Sequence, residues 1–164
     1  MKELHSFAEL AVALTVGTVR AVAAAEHGLG RAAALIAADA KQRIGEYQSE
    51  AGPFPAWAQL ADSTEASKAR MGYPPNAPLL ATGDLRNSIQ SEAAGSEAVA
   101  GSKSAIAAFQ ELGTSTIPPR PFMGPAAFEN RDKIAAIIRN AAGMALSGES
   151  LTYGGGNTFA RLTS

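Results

Sequence analysis

The stretch spanning residues 79–125 constrains the fold most, because it contains two short runs with strand character between segments of helical character. Residues 88–93 and 98–102 alternate partly between apolar and polar side chains, and Gly95-Ser96 between them favours a turn. We therefore expect an antiparallel hairpin. Residues 117–122 are extended and could add a third strand, at an edge because of their prolines. The predicted sheet has two to four strands.

The N-terminal segment, residues 1–50, is predicted to be a long helix. It opens with a capping-box pattern at residues 6–9. Apolar residues follow on more than one face, one stripe containing Leu14 and another containing Val16. Such a helix needs more than one neighbour, either within the chain or from another subunit. Gly28-Leu29-Gly30 predicts a kink or a break, because glycine costs about 1 kcal/mol per helix position relative to alanine.

Caps and glycines place the shorter helices. Residues 51–78 are expected to form a loop around a short helix that Asp62 caps. Thr82 should cap the single helical turn that follows it. Residues 105–112 should form a helix that ends at Gly113, because glycine is common just after the last helical residue.

The C-terminal part is expected to hold one more helix and a tail. Gly124-Pro125 fits a helix entry, and residues 124–147 carry an apolar stripe that can pack on the sheet. Residues 149–164 are rich in glycine and polar residues, which predicts a flexible tail. Residues 1–148 are then a single α+β domain, with residues 79–123 as its sheet region.

The composition argues against several classes of function. The chain has 14 basic and 15 acidic residues, so it lacks the concentrated positive charge typical of nucleic-acid-binding proteins. It has no cysteine, and His5 and His27 are far apart, so we expect no metal and no cofactor. The apolar run at residues 10–19 is shorter than the roughly 20 residues of a membrane span, and it is better explained as a capped helix than as a signal peptide.

Asp84 and Glu111 are the acidic residues in the two motifs that border the hairpin. A pair of carboxylates could serve a small hydrolase. Neither motif supplies a nucleophile or a histidine beside them, so we do not expect an enzyme. Asp84 is better explained as holding a turn, and Glu111 as making an ion pair or a helix-end contact.

Arg120 lies between prolines, which hold the backbone extended and reduce the entropy lost on docking. Its guanidinium could bind a carboxylate of a partner in bidentate fashion. The alternative is an internal salt bridge, for instance to Glu111. Phe122 could fill a pocket on a partner or belong to the core, and the second interpretation is favoured.

The order and spacing of these motifs resemble known families. Leu80-Ala81-Thr82-Gly83-Asp84-Leu85 is followed by Phe109-Gln110-Glu111-Leu112-Gly113-Thr114 and by Pro119-Arg120-Pro121-Phe122-Met123-Gly124-Pro125, and Trp57-Ala58-Gln59-Leu60 lies upstream. This arrangement is similar to the HK97-type tail-component family and the Mu-type virion-morphogenesis family of tailed bacteriophages. The resemblance covers residues 57–145. Ala107-Ala108 departs from it, because the families often have a tyrosine before the Phe-Gln-Glu run.

The resemblance implies an α+β fold and a structural role in the virion, at the neck, in the head-tail connection or in tail completion. Such proteins commonly form rings, here expected to hold six or twelve copies, which contact connector and tail proteins and through which DNA can pass. The implied location is the virion, and the host cytoplasm during assembly. No membrane and no specific nucleic acid is expected as a partner.

Two sets of residues are assigned on this basis. Contacts with other subunits or neck proteins are expected at Arg120, Phe122, Glu111, Arg86, Phe7 and Leu14. The structure of the motifs is expected to depend on Trp57, Thr82, Gly83, Leu85, Gly113 and Pro121. Alternative roles are a tail terminator, a minor head protein, or a module that binds peptides along a sheet edge.

Overall fold

The computed structural model describes residues 7–147, apart from the side chains of residues 7, 9, 10, 13, 14 and 145–147. The capping box, the proposed contacts of Phe7 and Leu14, and the tail at residues 149–164 lie outside this described part. The fold is α+β, as predicted. Its helices are α1 (Phe7–Arg43), α2 (Asp62–Arg70), α3 (Asp84–Ser88), α4 (Ala105–Leu112), α5 (Met123–Glu129) and α6 (Arg131–Ser147), and its strands are β1 (Ile89–Ala94) and β2 (Glu97–Ser102).

Helix α1 is a single element of 37 residues, so the predicted break at Gly28-Leu29-Gly30 is wrong. The two glycines serve close packing instead. A Cβ atom at Gly28 would lie 2.6 Å from the Cβ of Ala141 on α6, and one at Gly30 would lie 3.4 Å from the Cβ of Ala93. The missing side chains let α6 and the hairpin approach the backbone of α1, and this packing offsets the low helix propensity of glycine.

The hairpin is antiparallel, and its register pairs Ile89 with Ser102 and Ala94 with Glu97. Both strands agree with the predicted ranges to within one residue, and the turn lies at Gly95-Ser96. The sheet has two strands in the described part of the chain, so the proposed third strand at residues 117–122 is wrong. Three of those six residues are prolines, which lack the N–H a ladder needs. The N–H of Arg120 donates instead to the carbonyl oxygen of Gln110 at 2.7 Å.

The C-terminal helical segment is two helices, not one, because α5 and α6 are separated at Asn130. The side chain of Asn130 is buried and donates to the carbonyl oxygen of Ala126 at 2.9 Å and to Asp39 Oδ2 at 3.1 Å. Its backbone, at φ −92° and ψ 5°, no longer continues the helix. The change of direction lets α5 and α6 both pack against α1.

Two predicted caps differ from the structure. The N-cap of α2 is Ala61, and Asp62 is the first helical residue. The N-cap of α3 is Gly83, at φ +89°, and it receives no side-chain hydrogen bond. Helix α4 agrees with its predicted range and ends at Gly113, whose φ of +74° suits glycine.

The core lies where one end of α1 meets β1, α4 and α5. Four of its buried residues are alanines, and the other four have large apolar side chains. The eight residues are Ala37, Ala40, Ile44, Trp57, Ile89, Ala107, Phe122 and Ala126. Small residues on α1 bring the neighbouring elements close, and Trp57, Ile89 and Phe122 fill the space between them. This packing confirms the favoured interpretation of Phe122 as a core residue.

Candidate functional site

Thr82 and Asp84 hold the turn that leads into the hairpin. The hydroxyl of Thr82 donates to Asp84 Oδ2 at 2.6 Å, and its oxygen accepts the N–H of Asp84 at 3.3 Å. Gly83 between them has the positive φ that the turn requires, and Leu85 packs against the core. Thr82 therefore shapes the turn through Asp84 and does not cap α3.

Trp57 and Pro121 join two segments that are distant in the sequence. The indole N–H of Trp57 donates to the carbonyl oxygen of Pro121 at 2.9 Å, and the bond is buried. The Trp57 side chain belongs to the core. This bond pins the loop before α2 onto the segment that precedes α5.

Arg120 is buried, with 6% of its surface exposed. Its Nη2 donates to the carbonyl oxygens of Ala58 at 3.0 Å and Gln59 at 3.4 Å. Its Nε is buried and has no hydrogen-bond partner in the described part of the chain. No ion pair joins Arg120 to Glu111 there either, so the suggested internal salt bridge is wrong. Arg120 instead fastens the loop at residues 57–60 through backbone carbonyl groups.

Glu111 caps α5 from outside that helix. Its Oε2 accepts the N–H groups of Phe122 at 2.8 Å and Met123 at 3.0 Å, and its Oε1 accepts that of Gly124 at 2.8 Å. The first N–H groups of a helix have no partner within it, and its N-terminus favours negative charge. Glu111 meets both needs, which agrees with the predicted helix-end contact.

Gly124 leaves the space that lets Phe54 and the carboxylate of Glu111 approach the start of α5. A Cβ atom there would lie 2.4 Å from Phe54 Cε1 and 3.2 Å from Glu111 Oε1. Gly113 has a similar role at the end of α4, because a Cβ atom on it would lie 3.0 Å from the carbonyl oxygen of Ile117. We call the set Trp57, Gln110, Glu111, Arg120 and Pro121 the internal clamp.

The internal clamp changes the interpretation of three predicted contact residues. Phe122 is fully buried and Arg120 nearly so, and Glu111 is engaged by three amides of its own chain. Neither Phe122 nor Arg120 presents its side chain at the surface of the subunit, so their contact with another subunit stays a prediction that this packing does not support. Arg86 remains exposed, on α3, and stays a predicted contact residue.

A second polar cluster was missed by sequence reasoning. Arg43 is buried on α1, and its Nη2 lies 2.8 Å from Asp39 Oδ2 and 2.6 Å from Glu129 Oε2. Asn130 also donates to Asp39. Asp39 and Arg43 are four residues apart, the spacing of an ordinary ion pair on a helix surface, so their position in the sequence does not reveal that Arg43 is buried. Glu129 lies 86 residues after Arg43, and Asn130 lies 91 residues after Asp39. Nothing in the sequence indicated that these distant residues are partners.

The charge of Arg43 is stabilised by this cluster. Burial acts to lower the pKa of Arg43, but the hydrogen bonds and charges of Glu129 and Asp39 outweigh it, and the pKa is raised. Arg43 is therefore a fixed positive charge that holds the end of α5 against α1. A fixed charge with all its partners inside the chain is a structural group, with no proton to exchange near neutral pH.

Asp84 and Glu111 do not share their contacts. The carboxylate of Asp84 is held by Thr82 in the turn before α3, and that of Glu111 lies at the start of α5. No group of three or more histidine or acidic side chains is placed to bind a metal ion in residues 7–147. The hydrogen bonds of the internal clamp and of Arg43 fasten one part of the chain to another.

Two apolar surfaces are left uncovered by the described residues, 7–147. Every described side chain from residue 8 to residue 23 on α1 is exposed, and we call this segment the bare half of α1. Val12 and Val19 are each 64% exposed. Helix α4 presents a second, smaller surface, formed by Ile106, Phe109 and Leu112. Exposed apolar surface of this extent on regular elements is typical of protein contact sites.

Comparisons with known proteins assign no family to this chain, so a proposal about its function rests on the structural features above. Among the described residues, no helix is both long enough and apolar enough to cross a membrane. No protein-family model, no curated protein and no solved structure matches this chain, so the likeness to the phage families rests on the motifs themselves.

Proposed function

We propose that this chain is a structural virion protein of a tailed bacteriophage or prophage, which acts at the neck, in the head-tail connection or in tail completion by assembling into a ring. The observation that carries the proposal is the bare half of α1, where Val12, Val16, Val19 and Val22 are exposed over about three helical turns. An isolated subunit gains nothing from exposing such a surface, whereas a subunit of an assembly buries it.

The internal clamp supports the same proposal. The motifs that resemble the phage families, around Trp57, Glu111 and Arg120, are joined into one unit by a buried hydrogen bond of Trp57 and by partly buried ones of Arg120 and Glu111. A ring subunit needs a rigid body, because each contact with a neighbour is repeated around the ring and small errors in angle prevent closure. The partners that follow are further copies of this chain, six or twelve in the ring, with connector and tail proteins above and below it.

A deletion in a producing phage or prophage tests this function. Particles from the intact and the deleted genome are purified, imaged by electron microscopy and analysed by mass spectrometry. We expect the protein in intact particles, and we expect the deletion to leave filled heads and tails that do not join, or tails that are not completed. Irregularly long tails would identify a tail terminator, and defective heads a minor head protein. Complete infectious particles without the protein would overturn the proposal.

A further inference from the structure

The bare half of α1 continues the helix face that packs in the core. Val12, Val19, Ala33 and Ala40 are separated by multiples of seven residues, and each seven-residue step keeps a side chain within about 20° of the same face of a helix. Ala33 and Ala40 are buried inside the subunit, whereas Val12 and Val19 are exposed. The steps add up, so Val19 lies about 40° and Val12 about 60° around the helix from Ala33. These residues therefore lie on one broad side of α1, which is covered at one end and uncovered at the other.

The other packed side of α1 is different. Gly28, which meets Ala141 of α6, lies about 140° around the helix from Ala33 at 100° per residue. Helix α6 thus covers a separate side, and in the described part of the chain it does not reach the valine face. That face has no occupant of its own subunit among residues 7–147.

The bare half is apolar over a wider arc than a two-helix contact uses. In a seven-residue repeat with Val12 and Val19 at position a, Thr15 and Val22 occupy position d. The flanking positions, which carry charges in two-helix coiled coils, are here Ala11, Val16, Thr18 and Ala23. No charged residue occurs from residue 10 to residue 19. A helix that is uncharged on all sides is covered on several sides.

We propose that the bare half of α1 packs against the same segment of at least two further copies, as a parallel helical bundle around the axis of the ring. This inference rests on the proposed function for the ring and adds the surface that closes it. Cyclic symmetry gives each helix two equivalent neighbours, and it places the remaining part of every subunit at the same end of the bundle. That arrangement covers the wide uncharged arc without any other partner.

The area that the segment can bury supplies part of the contact. A 16-residue helical segment is about 24 Å long and about 10 Å across, which gives a side surface of about 750 Å². If two thirds of it is covered in each copy, about 500 Å² is buried for each pair of neighbours, about a third of a standard specific interface. The bundle therefore closes the ring together with further contacts between the subunits, for which the apolar surface of α4 is available.

The oligomeric state of paired variants tests the bundle. Wild-type protein is expected to show a mass of three or more chains in native mass spectrometry and in light scattering. The V12D/V19D variant is expected to be monomeric. Its far-ultraviolet circular dichroism spectrum should show that the subunit is still folded, because both valines are exposed in the subunit. Met71→Asp is the matched control, since Met71 is 66% exposed at the end of α2, and it should keep the wild-type mass.

Cysteine substitution tests the same contact without added charge, because the chain has no cysteine of its own. Val19→Cys is expected to form disulfide-linked dimers under mild oxidation, since a parallel bundle brings equivalent positions together. Val99→Cys, equally exposed on β2, is the control and should stay unlinked. An oligomer of wild-type mass that gives no Val19→Cys dimers would overturn the parallel bundle.

Three other outcomes would also overturn the inference. The first is a wild-type protein that stays monomeric at high concentration. The second is a V12D/V19D variant with full oligomer mass, which would place the contact elsewhere and leave the proposed function standing. The third is a monomer whose Val19→Cys thiol reacts only after residues 148–164 are deleted, which would identify the C-terminal segment as the occupant. Failure of the proposed function itself is read from the phage deletion, independently of all these results.

Discussion

The carboxylate of Glu111 on α4 accepts the backbone N–H of Phe122 at 2.8 Å, at the start of α5. The same carboxylate accepts two further N–H groups, so it orients the segment that carries Phe122 into the core. Replacing Glu111 by alanine would leave partly buried N–H groups without partners. We expect a loss of about 3 kcal/mol in the free energy of unfolding, measured by urea denaturation.

Glu111→Gln separates charge from hydrogen bonding. Glutamine keeps one acceptor oxygen, so we expect roughly half of the loss seen for alanine. Glu97→Ala on the exposed start of β2 is the control and should change stability by less than about 0.5 kcal/mol. Equal stability of Glu111→Ala and wild type would show that the three hydrogen bonds do not hold α5.

Trp57 is the only tryptophan of the chain and lies in the core, so its fluorescence reports on the internal clamp. In the folded protein we expect blue-shifted emission that iodide does not quench. Trp57→Phe keeps most of the apolar surface but removes the N–H that binds the Pro121 carbonyl. The expected loss is about 2 kcal/mol, followed by circular dichroism during urea denaturation. Strong quenching of the native wild-type protein would contradict the buried position.

Arg43 joins α1 to the end of α5 through Asp39 and Glu129. Arg43→Met keeps the length of the side chain but leaves two carboxylates close together without a cation. We expect a loss of about 3 kcal/mol, which is at the lower end for a buried pair because both carboxylates retain some exposure to solvent. Asp132→Asn is the control, because Asp132 meets Arg131 only at 3.9 Å on the surface, and it should cost less than about 0.5 kcal/mol. Thermal and urea unfolding would both check the difference.

Gly28 on α1 packs against Ala141 on α6, because a Cβ atom at Gly28 would lie 2.6 Å from the Cβ of Ala141. Gly28→Ala improves helix propensity by about 1 kcal/mol, but its methyl group would overlap that of Ala141, and overpacking costs about 1 to 3 kcal/mol. We expect a net loss. The double variant Gly28→Ala with Ala141→Gly moves the methyl group across the contact and should recover stability. A double-mutant cycle should give a coupling energy of about 1 kcal/mol, and strict additivity would contradict the contact.

Local signals in the sequence were sufficient for the hairpin and for α4. Partial alternation on each side of Gly95-Ser96 predicted both strands to within one residue, and Gly113 marked the end of α4. These features depend on neighbours within a few residues, and the sequence contains those neighbours. The predicted long helix is present as α1, although it ends at Arg43 and not near residue 50, and its glycines were read as a kink or a break.

Contacts between distant segments could not be predicted. Asn130 ends α5 because Asp39 accepts its side chain, and Asp39 lies 91 residues away. Arg120 resembles a docking residue in the sequence, since nothing near it reveals that Ala58 and Gln59 offer their carbonyl groups. Glu111 was assigned a helix-end contact, but the helix it contacts begins after a proline-rich segment. Each case depends on tertiary packing that one sequence without relatives does not disclose.

Because α1 is one uninterrupted helix, the number of residues between its two halves sets the direction in which the exposed valines of the bare half face relative to the rest of the subunit. One residue inserted after Ala23 would rotate them by about 100° and advance them by about 1.5 Å. Seven inserted residues would restore the direction of the valines to within about 20° and would lengthen α1 by about 10 Å. The angular alignment of the subunit with its surroundings is thus encoded by a residue count, and insertions in this segment should be tolerated only when they complete whole turns, near about seven, eleven or eighteen residues.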